Sequence, residues 1–342
     1  MRAAYFRRHG GPDVMEVGEA PEPVPAHGTV IVEVRAVALN HLDLWVRRGL
    51  PGLTLRLPHI GGSDVAGVIR DVAAGVDGWS AGDRVVINPS LWCGECAYCR
   101  RGEHPLCTTF QILGEHVPGG AAELVRVPAR NVHAMPPNLD FPAAAAVPLA
   151  WQTAWRALTT RGRLQAGDTL LVTGASGGVA TAAIQIAASL GARVMAVTSG
   201  AENAARVRGL GAECVIDRLS ENVVEGVKEA TAGAGVDVVL DSVGEAMWPD
   251  LLRCLGRSGR LVTYGATTGA RVGLDVRHVF WKQLQVIGST MASRDEFEAV
   301  LKHVSEGRFQ PIVDAVWPLG QIRQAHERLE AGAVFGKLVL TP

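Results

Sequence analysis

The 342-residue sequence has almost no net charge, because 33 lysines and arginines are balanced by 34 aspartates and glutamates. The absence of a basic excess or a basic run argues against a nucleic acid or a membrane surface as partner. No uninterrupted apolar run reaches about eighteen residues, so we expect no membrane-spanning helix. The opening segment MRAAYFRRHGGPDVME lacks the apolar core of a secretory signal. We therefore expect a cytoplasmic protein.

Cysteine is scarce as well, with six residues in the chain. Cys214 and Cys254 lie in apolar segments and are expected to be buried thiols. The other four follow the pattern C-x2-C-x2-C-x7-C and are Cys93, Cys96, Cys99 and Cys107. In a reducing compartment this density favours a metal over disulfides, and a reduced cluster without metal is the alternative. Four thiolates complete the tetrahedral shell of a zinc ion and leave no open position for substrate.

The pattern of apolar residues along the chain changes near residue 130. Up to about residue 125, short apolar runs at 29–39, 64–72 and 83–89 are separated by Gly, Pro and Asp, which predicts a β-rich region. Beyond an Ala- and Leu-rich helical stretch, apolar strands alternate with helical patterns. The predicted strands are 170–174, 193–199, 236–243 and 260–265, with a helix at 178–191. This alternation predicts an α/β fold with a parallel, doubly wound sheet.

A glycine-rich turn follows the first of these strands and opens the helix. Its residues are Gly174, Ser176, Gly177, Gly178 and Val179. Glycines allow the backbone to approach a pyrophosphate, and the helix N-terminus offers free N–H groups and a positive dipole. Ala180 replaces the third glycine of the pattern, a position that serves helix–strand packing. The turn predicts a dinucleotide-binding site.

The end of the second strand indicates which dinucleotide is bound. An acidic residue there would bind the ribose 2′-hydroxyl of NAD and repel a 2′-phosphate. The segment here contains Thr198 and Ser199, has no carboxylate before Glu202, and is followed by Arg206. These residues favour NADP, while NAD remains possible and Arg206 could be a solvated helix residue.

Several segments together resemble the medium-chain dehydrogenase/reductase superfamily, which contains zinc alcohol dehydrogenases and quinone oxidoreductases. They are 37–49, 57–69, 82–89, the cysteine lobe, 119–128, the glycine turn, 236–244, 261–266 and 336–340. The resemblance implies a GroES-like catalytic domain (1–127 and 278–342), with a structural-zinc lobe at about 93–107. It also implies a Rossmann domain (128–277), an active site in the cleft, and a homodimer or homotetramer commonly formed through the Rossmann domain.

The same resemblance assigns further residues. Thr153 and Gly265 would contact the cofactor, and Lys337 would face its phosphates unless it is a surface lysine. One structural zinc ion per chain would be held by Cys93, Cys96, Cys99 and Cys107.

The catalytic zinc of alcohol dehydrogenases is expected to be absent. Asn40, Ser63 and Leu149 stand at the three positions where those enzymes supply ligands. An amide, a hydroxyl and a hydrocarbon do not make a zinc site, and leucine has no donor atom in its side chain. The alternative is a displaced metal site built from His41, His59, Asp43 and Asp64.

Without that zinc, a conjugated acceptor is easier to reduce than a simple ketone, because the negative charge spreads into an enolate or phenolate. The sequence therefore predicts an NAD(P)H-dependent reductase of quinones or α,β-unsaturated carbonyl compounds. Asn40 and Asp43 match its zinc-free relatives, and Asn40 would bind the acceptor carbonyl or orient the nicotinamide. His41 would deliver the proton, or point away and bind backbone or ribose. An alcohol dehydrogenase and a cofactor-binding protein without turnover are the alternatives.

Overall fold

The computed structural model describes residues 1–342 and divides into two compact units. The first comprises residues 1–150 and 293–342, and the second residues 151–292. The predicted boundaries at 127/128 and 277/278 lie earlier in the chain than the limits of these units. Residues 141–145 form a helix whose Ala144 and Ala145 pack on strands of the first unit. At the other boundary, residues 285–288 form a strand that extends the sheet of the second unit.

The first unit is β-rich, as predicted. Its strands are β1 (Arg2–Phe6), β2 (Met15–Glu19), β3 (Thr29–Ala38), β4 (His59–Ile60), β5 (Asp64–Val72), β6 (Arg84–Ile87), β7 (Ser90–Leu91), β8 (Gln111–Ile112), β9 (Leu124–Pro128), β10 (Val132–Ala134), β17 (Val313–Pro318) and β18 (Lys337–Thr341). The main sheet has the order β10-β6-β5-β3-β18-β17, and β9 also pairs with β3. Strand β3 therefore lies between β5 and the last strand of the chain.

The first unit also contains helices. They are α1 (His41–Arg48), α2 (Ala97–Arg100), α3 (Phe141–Ala145), α4 (Pro148–Trp155, which crosses the unit boundary), α10 (Arg294–Ser305) and α11 (Ile322–Glu330). Short 3-10 turns occupy Pro12–Val14, His104–Leu106, Ala129–Asn131 and Leu319–Gln321. Apolar side chains of β3, β5, β18 and α11 form the main core of this unit, with residues such as Val32, Ile69 and Leu338 almost fully buried.

The second unit is a Rossmann sheet. Its strands are β11 (Thr169–Val172), β12 (Arg193–Thr198), β13 (Cys214–Asp217), β14 (Val236–Asp241), β15 (Leu255–Thr263) and β16 (Gln285–Gly288). All neighbouring strands are parallel, in the order β13-β12-β11-β14-β15-β16. Its helices are α5 (Gly178–Ser189), α6 (Ala201–Gly209), α7 (Val223–Ala230), α8 (Trp248–Cys254) and α9 (Val276–Lys282), and a π-helical segment spans Arg156–Arg161.

The Rossmann sheet follows from the composition of its strands. The central strands β11 and β14 contain fully buried residues such as Leu170, Leu171 and Val239, as expected for a sheet covered on both faces. The predicted GroES-like and doubly wound α/β architecture is confirmed. No helix of the chain combines the length and the apolar character needed to cross a bilayer.

Candidate functional site

Strand register in the first unit brings three polar residues together. In the antiparallel pair β3–β18, Val339 lies opposite Ala38, so the same register continued by two residues brings Lys337 to Asn40. On the other side of β3, Asp64 lies opposite Ala38. The ends of three adjacent strands thus place Asn40, Asp64 and Lys337 at one point of the sheet.

These three side chains form a buried hydrogen-bonded network. Asn40 Nδ2 donates to Asp64 Oδ2 at 2.9 Å. The Lys337 ammonium donates to the same carboxylate oxygen at 2.9 Å and to Asn40 Oδ1. The other oxygen of Asp64 accepts from the backbone N–H of Leu149 at 2.7 Å. All three side chains are at most 9% exposed, so the ion pair is well shielded from water.

The predicted contact of Lys337 with the cofactor phosphates stays a prediction, but the alternative of a surface lysine is wrong. Lys337 is buried, and its ammonium binds Asn40 and Asp64. The reason is the pairing of β18 with β3, which aims Lys337 at a buried carboxylate that needs a counter-charge.

Asp43 fixes the backbone of Asn40 through a hydrogen bond. Its carboxylate, at the third position of α1, accepts from Asn40 N at 2.7 Å and from Gly62 N at 2.9 Å. Burial raises the pKa of Asp43 to about 6; the two N–H donors and the Lys337 charge oppose this rise, and the Asp64 charge adds to it. Asp43 thereby links α1 to the segment before β5, and its predicted catalytic role stays a prediction.

That segment is fixed by glycines packed at very short range. A Cβ at Gly119 would lie 2.3 Å from the Gly62 carbonyl oxygen, and one at Gly114 would lie 2.7 Å from the Gly62 carbonyl carbon. Gly62 and Gly114 also have φ near +88° and +80°, which a residue with Cβ adopts at a cost. Only glycine allows these backbone segments to pass so close to one another. Their packing sets the position of the Gly62 N–H that donates to Asp43.

The positions of the absent zinc ligands do not provide metal donors. Ser63 is fully buried and its hydroxyl has no hydrogen-bond partner, while Leu149 contributes its backbone N–H. The displaced-site alternative also lacks support, because His59 Nε2 binds the Gly114 carbonyl at 3.0 Å and Asp43 is engaged by two N–H groups. His41, His59, Asp43 and Asp64 do not assemble into a set of metal donors.

His41 opens α1 beside this network. Its side chain reaches solvent, yet the surrounding protein lowers its pKa. Partial loss of hydration is the largest cause, followed by the positive charges of Lys337 and Arg48. The ring is therefore mostly neutral at pH 7, and any proton it holds is more acidic than that of an ordinary histidine.

Sequence reasoning missed Glu115 near Asp43. The Glu115 side chain is 13% exposed, and burial, together with the Asp43 charge, raises its pKa to about 7. It lies in the turn Gly114–Val117 that packs on Gly62. No pattern in the sequence distinguishes this carboxylate from an exposed one, because its burial comes from the packing of the turn on Gly62.

The four cysteines of the lobe come together, as their spacing predicts, in a group that could hold a metal ion. The ligand atoms of Cys93, Cys96, Cys99 and Cys107 all lie within 4.8 Å of one another. Three of the sulfur–sulfur distances are 3.5, 3.6 and 3.8 Å. Zinc–sulfur bonds of about 2.3 Å in a tetrahedron require separations of about 3.8 Å, so the site fits zinc. Hydrogen bonds from the backbone N–H groups of Cys99 and Thr108 lower the pKa of Cys96 to about 6, which favours the thiolate.

The glycine turn of the second unit has the form that a pyrophosphate needs. Gly174 is exposed with φ +57°, and Gly177 N donates to Gly174 O at 2.9 Å. Helix α5 begins at Gly178 and has no side chain capping its N-terminus, so its first N–H groups are available to an anion. Ala180 is 1% exposed against the sheet, in agreement with its predicted packing role.

Asp241 supports this turn and was not found from the sequence. It is fully buried and accepts from Thr173 Oγ1 at 2.7 Å and from Trp248 Nε1 at 2.9 Å. It also accepts from the backbone of Val243 and Gly244. Asp241 thereby ties the end of β14 to Thr173, which directly precedes the glycine turn.

The remaining predicted cofactor residues lie on several elements. Thr198 Oγ1, at the end of β12, is buried without a hydrogen-bond partner. Ser199 follows it, and Arg206 lies half-buried on α6. Thr153 is buried in α4 with its hydroxyl 3.9 Å from Met291 Sδ. A Cβ at Gly265 would lie 3.2 Å from that of Ser242, so this loop after β15 is also tightly packed.

In comparisons with known proteins, a family model matches part of each unit. The family model "Alcohol dehydrogenase GroES-like domain" matches residues 26–137, and "Zinc-binding dehydrogenase" matches residues 178–306. The chain is 33% identical to an acryloyl-coenzyme A reductase of Metallosphaera sedula, over 95% of this chain and 96% of that one. It is 28% identical to a quinone oxidoreductase of Homo sapiens, over 99% and 97%. A solved structure of an NAD-dependent alcohol dehydrogenase superposes with a TM-score of 0.96 at 42% identity, covering 100% of both chains.

Proposed function

Because the chain belongs to the medium-chain dehydrogenase/reductase superfamily of oxidoreductases, we propose that it reduces quinones or α,β-unsaturated carbonyl compounds with NAD(P)H and without a catalytic zinc. The observation that supports this most is the network of Asn40, Asp64 and Lys337. A buried ammonium ion and an amide occupy the region from which relatives bind the catalytic metal. Hydrogen-bond donors are present there, but a metal-donor set is not.

Bound NAD(P)H supplies a hydride, and the chain's own residues handle the charge that results on the acceptor. Addition of hydride to the β carbon moves negative charge to the carbonyl oxygen, where one or two hydrogen bonds stabilise it. Asn40 donates one of these bonds. The enolate then takes one proton, for which we propose His41, because it directly follows Asn40 at the start of α1 and its protonated ring is a stronger acid than that of an ordinary histidine.

NADP is the proposed dinucleotide. Thr198, Ser199 and Arg206 provide hydroxyls and a cation near the end of β12. The nearest carboxylate of the neighbouring strand, Asp217, is engaged by the backbone N–H groups of Gly200 and Leu219. Thr198, Ser199 and Arg206 are the groups that we propose to recognise a 2′-phosphate.

Alcohol oxidation is the second candidate. It is favoured by the intact cysteine lobe and by the similarity of the whole chain to the NAD-dependent alcohol dehydrogenase structure. Without zinc, the alkoxide would depend on the Lys337–Asn40 network for stabilisation.

One panel of assays separates these functions. Purified protein is mixed with NADPH or NADH and a series of quinones, enones and enoyl thioesters, and in parallel with NAD or NADP and a series of alcohols. Reduced-cofactor oxidation by the conjugated acceptors at rates well above those with alcohols supports the proposal. Turnover confined to alcohols would replace it with the dehydrogenase, and tight NADPH binding without turnover would indicate a binding protein.

A further inference from the structure

We propose that Asp64 and Lys337 form a positioning pair that fixes which way the Asn40 amide points, so that one Nδ2–H is always presented to the substrate carbonyl. The inference deepens the proposed function and rests on it for the identity of the carbonyl. It concerns the orientation of a side chain, and that orientation can be observed without turnover.

The chemistry of the two partners leaves the amide one orientation. An ammonium group has donors only, and a carboxylate has acceptors only. The oxygen of Asn40 must therefore face Lys337, and its nitrogen must face Asp64. Rotation of the amide by 180° would place its NH2 against the ammonium and its oxygen against the carboxylate, so two attractive contacts would become repulsive. Asparagine alone has no such preference, since its two ends are nearly equal in shape.

This orientation leaves one donor unused. The Asn40 amide has two N–H groups, and one of them binds Asp64 Oδ2. Asp64 Oδ1 is taken by Leu149 N, and the backbone N–H of Asn40 is taken by Asp43. No acceptor of the protein takes the second Nδ2–H. It is the donor that a carbonyl oxygen arriving at Asn40 would meet.

The arrangement is also suited to an oxygen that gains charge. The ammonium at Asn40 Oδ1 polarises the amide and strengthens the remaining N–H as a donor. Asp64 balances the positive charge, so the buried network is neutral overall before the substrate arrives. Its members stand on paired strands and at the start of a helix, which keeps the donor in a fixed place.

The role differs from that of a lysine bound to cofactor phosphate. A phosphate contact would act on dinucleotide affinity, whereas a positioning pair acts on the chemical step with bound substrate. The two are separated by measuring the Kd of NADPH and the kcat with a conjugated acceptor in the same variants.

The main test is the neutral double variant Asp64→Asn with Lys337→Gln, which keeps size and hydrogen bonding but removes the charges that orient the amide. We expect kcat with cyclohexenone or benzoquinone to fall at least tenfold, while the Kd of NADPH changes less than threefold. Lys337→Arg keeps a donor-only cation, and we expect it to recover most of the lost kcat.

Glu225→Gln with Lys228→Gln removes an exposed ion pair on α7 and serves as the matched control, with kcat unchanged. An unchanged kcat in the Asp64/Lys337 double variant, or a tenfold weaker NADPH complex with normal kcat, would overturn the inference.

A neutron crystal structure provides the second readout, because deuterium distinguishes the amide nitrogen from the oxygen. Oxygen toward Lys337 and one unpaired N–D are expected in the parent protein, and a reversed or mixed amide in the double variant. An identical amide orientation in both would contradict the positioning role. If the parent protein reduces no conjugated acceptor, the proposed function fails, and the neutron comparison still decides the orientation. Should the double variant not fold, the same comparison is made between the parent protein and Lys337→Gln alone.

Discussion

The backbone N–H of Asn40 donates to the Asp43 carboxylate at 2.7 Å, inside a site that raises the pKa of that carboxyl to about 6. Asp43 therefore ionises less readily in the folded protein than in the unfolded chain, where its pKa is about 3.8. Its contribution to stability is largest below pH 3.8 and is lost as pH rises through 6. A difference of about two pKa units corresponds to about 3 kcal/mol.

Replacement of Asp43 by Asn should remove this pH dependence. We expect the free energy of unfolding of the parent protein, relative to that of Asp43→Asn, to fall by about 3 kcal/mol between about pH 4 and pH 7. Urea titrations at several pH values measure it, with Asp13→Asn as the exposed control. A constant difference between parent and Asp43→Asn across this range would show that Asp43 does not titrate as described.

Zinc content tests the cysteine lobe. We expect about one zinc ion per chain, because one tetrahedral thiolate site is present. Cys99→Ser should lose most of this zinc and unfold at lower temperature, whereas Cys254→Ser, which changes a buried thiol of the Rossmann core, should retain it. Elemental analysis and thermal unfolding measure both effects. Two zinc ions per chain would contradict the absence of the catalytic site.

Protonation of His41 should affect the pH dependence of kcat. If His41 delivers the proton, kcat with an enone is highest at low pH and decreases as pH rises through the lowered pKa of the ring. His41→Ala should lower kcat by about a hundredfold and abolish this limb of the profile. His104→Ala, in the zinc lobe, is a control that leaves the limb in place. A His41→Ala variant with the parent's rate and profile would remove His41 from the mechanism.

Sites formed by residues close together in the sequence could be predicted from it, and contacts between distant residues could not. The cysteine lobe and the glycine turn are set by short spacings, so Cys93 to Cys107 and Gly174 to Val179 could be assigned from the sequence alone. Lys337 lies 273 residues from Asp64, and their contact depends on the pairing of β18 with β3, which no local pattern reveals. Asp241 gains its role from hydrogen bonds to Thr173 and Trp248, and Glu115 owes its raised pKa to burial beside Asp43. Neither environment can be predicted from a single carboxylate in the sequence. The limits of the two units differ from the predicted boundaries because α3 and β16 join their units through contacts with segments that are distant in sequence.

Cofactor choice can be tested on α6. Arg206→Ala should raise the KM for NADPH by about tenfold and leave the KM for NADH nearly unchanged, because a charge-assisted contact with the 2′-phosphate is lost. Arg208→Ala, on the exposed side of the same helix, is the matched control. Equal effects on both cofactors, or a parent protein that prefers NADH, would assign the site to NAD.

The Rossmann sheet has an open edge that carries exposed apolar side chains. Strand β16 is the last strand of that sheet, and next to it Phe280 and Trp281 are 64% and 73% exposed. Val276 and Val286 add to this apolar surface. An unpaired edge strand flanked by large apolar side chains is an unstable surface in water, and self-pairing about a twofold axis would cover both the backbone and the side chains. We therefore propose a homodimer formed through β16.

Light scattering after gel filtration tests this interface. The parent protein should have the mass of a dimer or of a multiple of it, and Trp281→Glu should shift it toward the monomer because a buried carboxylate opposes the contact. Leu219→Glu changes another exposed apolar residue of the same unit, 69% exposed and following β13, and should leave the mass unchanged. A monomeric parent protein, or a Trp281→Glu variant that remains fully dimeric at low micromolar concentration, would place the subunit contact elsewhere or remove it.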